Sequence, residues 1–257
     1  DGEVESLNSI NHFQKLKRIN ISDEPIVNLN FEDNPDLEWV LSYSEITEHI
    51  DVTNNPNLKL LWCTSNILNS LDISNNPLLE DLNIGSDIIT DINLMDNINI
   101  KKLQLGASQL TSLDLTNNIL LERLIVISTQ LTSLDLSYNQ QLYHLVIGGN
   151  ELLTELDVST LTNLYDLNCS ENNIESLDLS LNQNLSTVKL LFNNLNYLNI
   201  KNGNNEEISN IETRFNPNLL CIEVDNEVDP QPFDYSIDSQ TEFSEDCSAP
   251  LPTPNPL

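Results

Sequence analysis

The chain has 257 residues, with 40 acidic against 10 basic side chains and a formal net charge of −30. A field of that sign repels phosphate backbones and anionic headgroups, which excludes nucleic acid and membrane surfaces as expected partners. No apolar run approaches the roughly 18 residues that a bilayer-spanning helix needs, so membrane insertion is not expected either.

The first residues, DGEVESLNSI, lack the charged, apolar and small-residue regions of a signal peptide, so a mature or trimmed chain is expected. Residues 1–15 carry no repeat and read as an N-terminal cap or partial turn. A repeat begins near Leu16. From there an apolar–x–apolar triplet recurs, its first residue at Leu29, Ile50, Leu71, Ile92, Leu113, Leu134, Leu156, Leu177 and Leu198. The spacing is 21 residues throughout, except for 22 between Leu134 and Leu156. So fixed a period identifies a repeat architecture.

Each repeat holds two such triplets, for example Leu167-Asn168-Cys169 and Leu177-Asp178-Leu179. Alternation of this kind predicts a short half-buried strand. Asn172 and Asn182, just beyond them, can turn the chain and satisfy backbone groups with their amides. The expected fold is therefore an all-β-leaning solenoid of about nine to ten 21-residue turns over 16–225, with short parallel strands on two faces and little helix. A lone turn cannot bury its apolar face, so stability must come from stacking.

Four cysteines are present. Cys63 and Cys169 fall on inward triplet positions and are expected to be small buried hydrophobes. Cys221 and Cys247 flank an irregular acidic stretch at the end of the repeats and are expected to form a disulfide, which implies an oxidising compartment. Residues 226–248 then form a cap loop, and 249–257 a Pro-rich tail. No CxxC, HExxH or Cys/His cluster points to a metal or cofactor. The three histidines, His12, His49 and His144, are scattered, and no catalytic set can be assembled around them.

Comparing repeats with one another separates two outward surfaces. Beside the Leu-Asp-Leu triplets, the central column reads Asn30, Asp51, Asp72, Asn93, Asp114, Asp135, Asp157, Asp178 and Asn199. This monotonous acidic column reads as solvated scaffold. The other surface varies from turn to turn and carries both tryptophans and five of the ten basic residues. On it, Trp39, Leu41, Tyr43, Leu60 and Trp62 are expected to form one outward cluster, and Arg123, Ile125, Ile127, His144 and Val146 a second. Apolar patches rimmed by polar groups mark interaction surfaces, and Trp, Tyr and Arg dominate their energetics.

The phrase LxxLxCxxNxIxxLDLxxNxxL over 164–185 resembles the leucine-rich repeats, closely the 21-residue nested type sometimes called IRREKO. The resemblance covers about residues 16–225. It implies a right-handed solenoid with a short parallel strand in each half-turn rather than a strand facing a helix. The ending, NPNLLCIEVDN followed by FSEDC, resembles the C-terminal cap of secreted repeat proteins of Bacteroidetes-type bacteria. In those proteins a Pro-rich linker such as APLPTPNPL leads to a secretion-sorting domain. An extracellular or cell-surface location is implied. Ser42 and Thr213 depart from the pattern by replacing inward aliphatics, and Leu161 stands where other turns place Asn.

These readings point to a non-enzymatic, monomeric recognition module that holds a protein partner on its variable face. A glycan stacked on Trp39, Tyr43 and Trp62 is the alternative, and an architectural spacer in an adhesin the third.

Overall fold

A computed structural model describes residues 13–22, 24, 26–226 and 234–248. The Pro-rich tail 249–257, His12 and most of the expected N-terminal cap lie outside them. The chain coils as a parallel β-solenoid of about ten turns. One side is a continuous sheet of eleven strands: β1 (Arg18–Asn20), β3 (Trp39–Tyr43), β5 (Leu60–Thr64), β6 (Asp81–Ser86), β7 (Lys102–Ala107), β8 (Arg123–Ile127), β9 (His144–Gly148), β10 (Asp166–Asn168), β12 (Thr187–Lys189), β14 (Asn210–Glu212) and β16 (Asp234–Ser236). Neighbours pair in parallel one repeat apart, Arg18 with Trp39 and Leu41 with Trp62. The only helical element among the described residues is a 3-10 turn at Asn205–Glu207.

The Leu-Asp-Leu side differs. Its strands pair only near the two ends: β2 (Asn28–Asn30) with β4 (His49–Asp51), and β11 (Ser176–Asp178), β13 (Tyr197–Asn199), β15 (Cys221–Glu223) and β17 (Glu242–Ser244) in one small sheet. The second ladder expected from the sequence is thus interrupted between Asp51 and Ser176. There the turns are closed up on the continuous-sheet side and splayed on the other, and Leu71 and Leu113 become partly exposed. The middle of the coil therefore bends toward the continuous sheet.

Between the two sides lies one apolar core running the length of the stack. Cys63 and Cys169 are fully buried free thiols within it. Burial pushes the Cys63 thiol up to about 12, and Cys169 higher still. Both behave as the expected small hydrophobes. Ser42 and Thr213 also occupy core positions, and the Thr213 hydroxyl has no hydrogen-bond partner.

Side-chain amides tie the turns together. Asn76 donates its Nδ2 to the backbone oxygens of Asn55 and Val52, both at 2.9 Å. Asn97, Asn118, Asn139 and Asn182 repeat this at one-turn intervals. Leu161 interrupts the ladder and is itself fully buried. A second ladder runs through Asn150, Asn172, Asn193 and Asn216, whose Oδ1 atoms accept backbone N–H groups of the preceding turn. The earlier turns do this differently: Ser65 and Ser86 are buried one position sooner and donate to Thr47 O and Leu68 O. The buried serines allow the strands there to run on, which is why β6 and β7 reach six residues.

At the C-terminal end, residues 234–244, expected to be irregular, add one more strand to each side. β16 pairs with β14, and β17 with β15. Tyr235 and Phe243 meet edge-on at 5.6 Å, and Phe243 with Ile237 packs against the last core residues. One large inward residue per strand does the work of a triplet there, so the repeat pattern does not announce this turn. The Cys221–Cys247 disulfide ties it down.

Candidate functional site

The strand alternation puts the residues of the variable columns on the outer surface of the continuous sheet. In the first cluster Trp39 lies beside Leu60, Leu41 beside Trp62 and Tyr43 beside Thr64. Trp39 and Tyr43 are the most open, 37% and 38% exposed, while Leu41, Leu60 and Trp62 are half-buried. The Arg18 guanidinium sits 4.3 Å over the Trp39 ring, a cation–π contact that fixes the ring. Trp62 donates its Nε1–H to Asp81 Oδ1 at 2.8 Å.

The second cluster also comes together. Arg123 lies beside His144, and Ile125 beside Val146. Ile127 faces Gly148 and is 37% exposed. His144 Nδ1 is 2.8 Å from Asp166 Oδ2, so a carboxylate from the next strand orients the imidazole.

The two clusters stand two strands apart, separated by β6 and β7. Between them is a shallow cavity of about 370 Å³ bounded by Trp62 on one side and Arg123 and Ile125 on the other. Its floor is polar, made by Asn83 and Gln104, with Asp81 and Lys102 at its margin. Lys102 Nζ is 3.8 Å from Asp81 Oδ2. The sequence reading left these four residues out of the site because none is apolar; membership of the same outward columns was the signal that could have found them. Gly85 borders this region, and a Cβ there would come within 2.6 Å of Thr64 Cγ2. Such an approach is too close for any side chain, so the sheet surface stays bare beside the cavity.

The opposite surface is built by one repeated local device. The Asp72 Oδ1 accepts both the backbone N–H and the hydroxyl of Ser74, and Asp114 does the same with Thr116. Asp135, Asp157 and Asp178 accept the N–H of the serine two residues on. This is the Asx turn, which needs only a side-chain carbonyl oxygen. Asn30, Asn93 and Asn199 therefore serve equally well. The acidic column is explained by chain reversal.

These hydrogen bonds favour the charged form. The Asp72 carboxyl is held below its ordinary 3.8 chiefly by the Ser74 hydroxyl, and Asp114 chiefly by the Thr116 N–H. Asp135 and Asp157 are lowered by Ser137 and Ser159. A folded value below the unfolded one gives stability that is complete above the unfolded value and is lost as pH falls through the folded one. An acid titration followed by circular dichroism should thus show a loss beginning below pH 3.8. Asp114→Asn and Asp135→Asn keep the acceptor oxygen with no proton to gain, so the double variant should lose less. An identical acid profile would remove the Asx turns from the account.

Among the described residues no group of three or more His, Cys, Asp or Glu could hold a metal ion, and no helix is long and apolar enough to cross a membrane.

No family model and no curated protein matches the sequence. Solved structures do match. The functional domain of InlJ from Listeria monocytogenes, described as including a cysteine ladder, shares 26% identity, with 81% of this chain and 50% of that one covered and a TM-score of 0.62. An internalin, InlF, from the same organism gives 18% identity, 93% and 69% coverage and a TM-score of 0.62. A leucine-rich repeat protein of Leptospira interrogans gives 15% identity, 93% and 59% coverage and a TM-score of 0.58. The chain spans half the length of the InlJ domain, and its own two inward cysteines stand in separate turns rather than in a ladder. With its parallel strands, stacked turns and near-absence of helix, the chain has the solenoid fold of leucine-rich repeat proteins.

Proposed function

We propose that this chain is a non-enzymatic extracellular recognition module that holds a protein partner on the outer surface of the continuous sheet. The observation that carries the reading is the contrast between the two surfaces. One repeats an Asx turn in nearly every repeat. The other changes residue type at every turn and gathers Trp39, Tyr43, Trp62, Arg123, Ile125 and Ile127 around a shallow polar-floored cavity. Folding demands repetition; only recognition benefits from divergence on a scaffold so uniform. Large aromatic and guanidinium groups next to a bare stretch of sheet are the residue types that dominate protein interfaces. The disulfide supports an oxidising, extracellular setting.

A second reading, glycan binding, is favoured by one feature: the Trp62 ring adjoins the amides of Asn83 and Gln104 and the Asp81 carboxylate. An aromatic platform flanked by donors and acceptors suits a sugar ring.

The test pairs a pull-down of surface proteins from the native surroundings with a glycan array, each run on wild type, Trp62→Ala and Asp135→Asn. Trp62→Ala should cost about 1 kcal/mol of stability and weaken binding of the captured protein by about 2 kcal/mol. Asp135→Asn should leave binding unchanged. Loss of binding in Asp135→Asn with none in Trp62→Ala would move the working surface to the opposite side. A hit on the array that depends on Trp62, without a protein partner, would establish the glycan reading instead.

A further inference from the structure

The second amide ladder turns on a residue with left-handed backbone just before each ladder position. Ser128, Gly149, Glu171, Phe192 and Phe215 all have φ between 55° and 66°. Glycine suits that conformation, and a bulky side chain is strained in it. The fold is content with Ser, Gly or Glu at this point, yet two consecutive turns place phenylalanine there. Neither ring is buried in return: Phe192 is 49% and Phe215 46% exposed. They lie parallel, 5° apart, with centroids 4.1 Å from each other, and the Arg214 guanidinium stands 5.0 Å over Phe215. Backbone strain combined with exposed aromatic area points away from stability and toward a ligand.

Beside the stack is a cavity of about 510 Å³ lined by Phe192, Glu151, Glu171, Asn172 and Asn173. Phe215 does not line it, so it lies on the side of Phe192 away from its stacked partner. The hydrogen-bonding groups of this cavity are unequally committed. Asn172 donates to Ile147 O and Cys169 O and accepts from Asn150 N. Asn173 donates to Glu151 O and accepts from Asn194 Nδ2. The donors are therefore used within the protein. The carboxylates of Glu151 and Glu171 form no ion pair among the described residues. What the cavity offers a visitor is a ring face and two carboxylates, with no donor to spare. A sugar needs donors as well as acceptors. An organic cation needs a negative ring face and anions only.

We propose that this cavity receives a basic side chain, lysine or arginine, from the protein partner, stacked on Phe192 and paired with Glu151 and Glu171. The inference rests on the protein-recognition reading and places one anchor at the rim of the sheet surface, beyond the Trp62 region.

The probe is the tetrapeptide acetyl-Lys-Lys-Lys-Lys-amide, titrated into the full chain while the Phe192 and Phe215 ring protons are followed by NMR. Chitotriose serves as the neutral arm. Saturable ring shifts with the peptide and none with chitotriose are expected. Phe192→Asn, a residue that tolerates left-handed backbone, should keep the melting temperature within a few degrees yet weaken the peptide about two- to fivefold. Glu171→Gln should weaken it similarly, and Trp62→Ala should leave it unchanged. Equal peptide affinity in wild type, Phe192→Asn and Glu171→Gln would show only attraction to the overall charge and overturn the proposal. So would ring shifts caused by chitotriose alone. Either outcome leaves the role of the Trp62 surface standing, because its own variant is read against a different ligand.

Discussion

Cleaving the Cys221–Cys247 bridge is expected to lower the stability of the C-terminal turns by about 3 kcal/mol, the chain-entropy value for a loop of this size. The bridge spans 26 residues and joins β15 to the segment that follows β17. That segment covers the last core residues through Tyr235, Ile237 and Phe243. In a stacked repeat each turn contacts only its neighbours, so loss of the cap should propagate inward from the end rather than melt the whole coil at once. Hydrogen exchange with and without reductant measures this. Amides of β14 to β17 should lose protection first, while those of β6 to β8 stay protected. Uniform loss along the chain would mean that the coil unfolds as a single unit. Cys63 and Cys169 provide an internal control: buried and with raised thiol pKa values, they should resist alkylation until the stack opens.

Replacing Asn76 by leucine should cost about 2 kcal/mol, read as a shift in the urea midpoint. The substitution removes two donors, each 2.9 Å from a backbone oxygen of the preceding turn. Those oxygens keep one backbone partner each, from Leu58 N and Asn55 N, which limits the loss. The leucine itself should fit, since Leu161 fills the equivalent place completely buried. The measured loss therefore reports the amide rather than a clash. An unchanged or raised midpoint would mean that the ladder sets register without adding stability.

The two surfaces separate two demands on one repeat. The Asx turns and amide ladders fix how each turn reverses and where the next one sits, so their residue types repeat. The outward positions of the continuous sheet carry no such duty, and there Trp39, Trp62, Arg123 and Ile125 replace one another freely. Surface ion pairs such as Lys17–Glu38 at 2.6 Å and Lys101–Glu80 at 3.0 Å run along the margin of that sheet. Exposed pairs of this kind add little stability. In a chain of net charge −30 they nevertheless keep cations concentrated beside the face proposed to bind.

What the sequence determined by itself was the solenoid, its period, the inward positions and the composition of each outward column. It could do so because strand alternation has a period of two and the repeat a period of 21, and both are local patterns. The pairing of Cys221 with Cys247 was legible for a related reason: both lie at the end of the repeats, where a cap is needed. Tertiary structure alone decided the rest. Whether the Leu-Asp-Leu segments pair depends on the spacing of successive turns, which is set by curvature accumulated over the whole stack; hence the gap between Asp51 and Ser176. The strands at 234–244 were hidden because one aromatic per strand, held by a disulfide, replaces the repeated triplet. Asp81, Asn83, Lys102 and Gln104 became part of a site only when β6 and β7 brought the two clusters to either side of one cavity. Phe192 and Phe215, 23 residues apart in the sequence, became a stacked pair because left-handed backbone turns both outward at the same corner of successive turns. A backbone dihedral of that kind follows from where the neighbouring turn's amide must reach, and no single repeat contains that information.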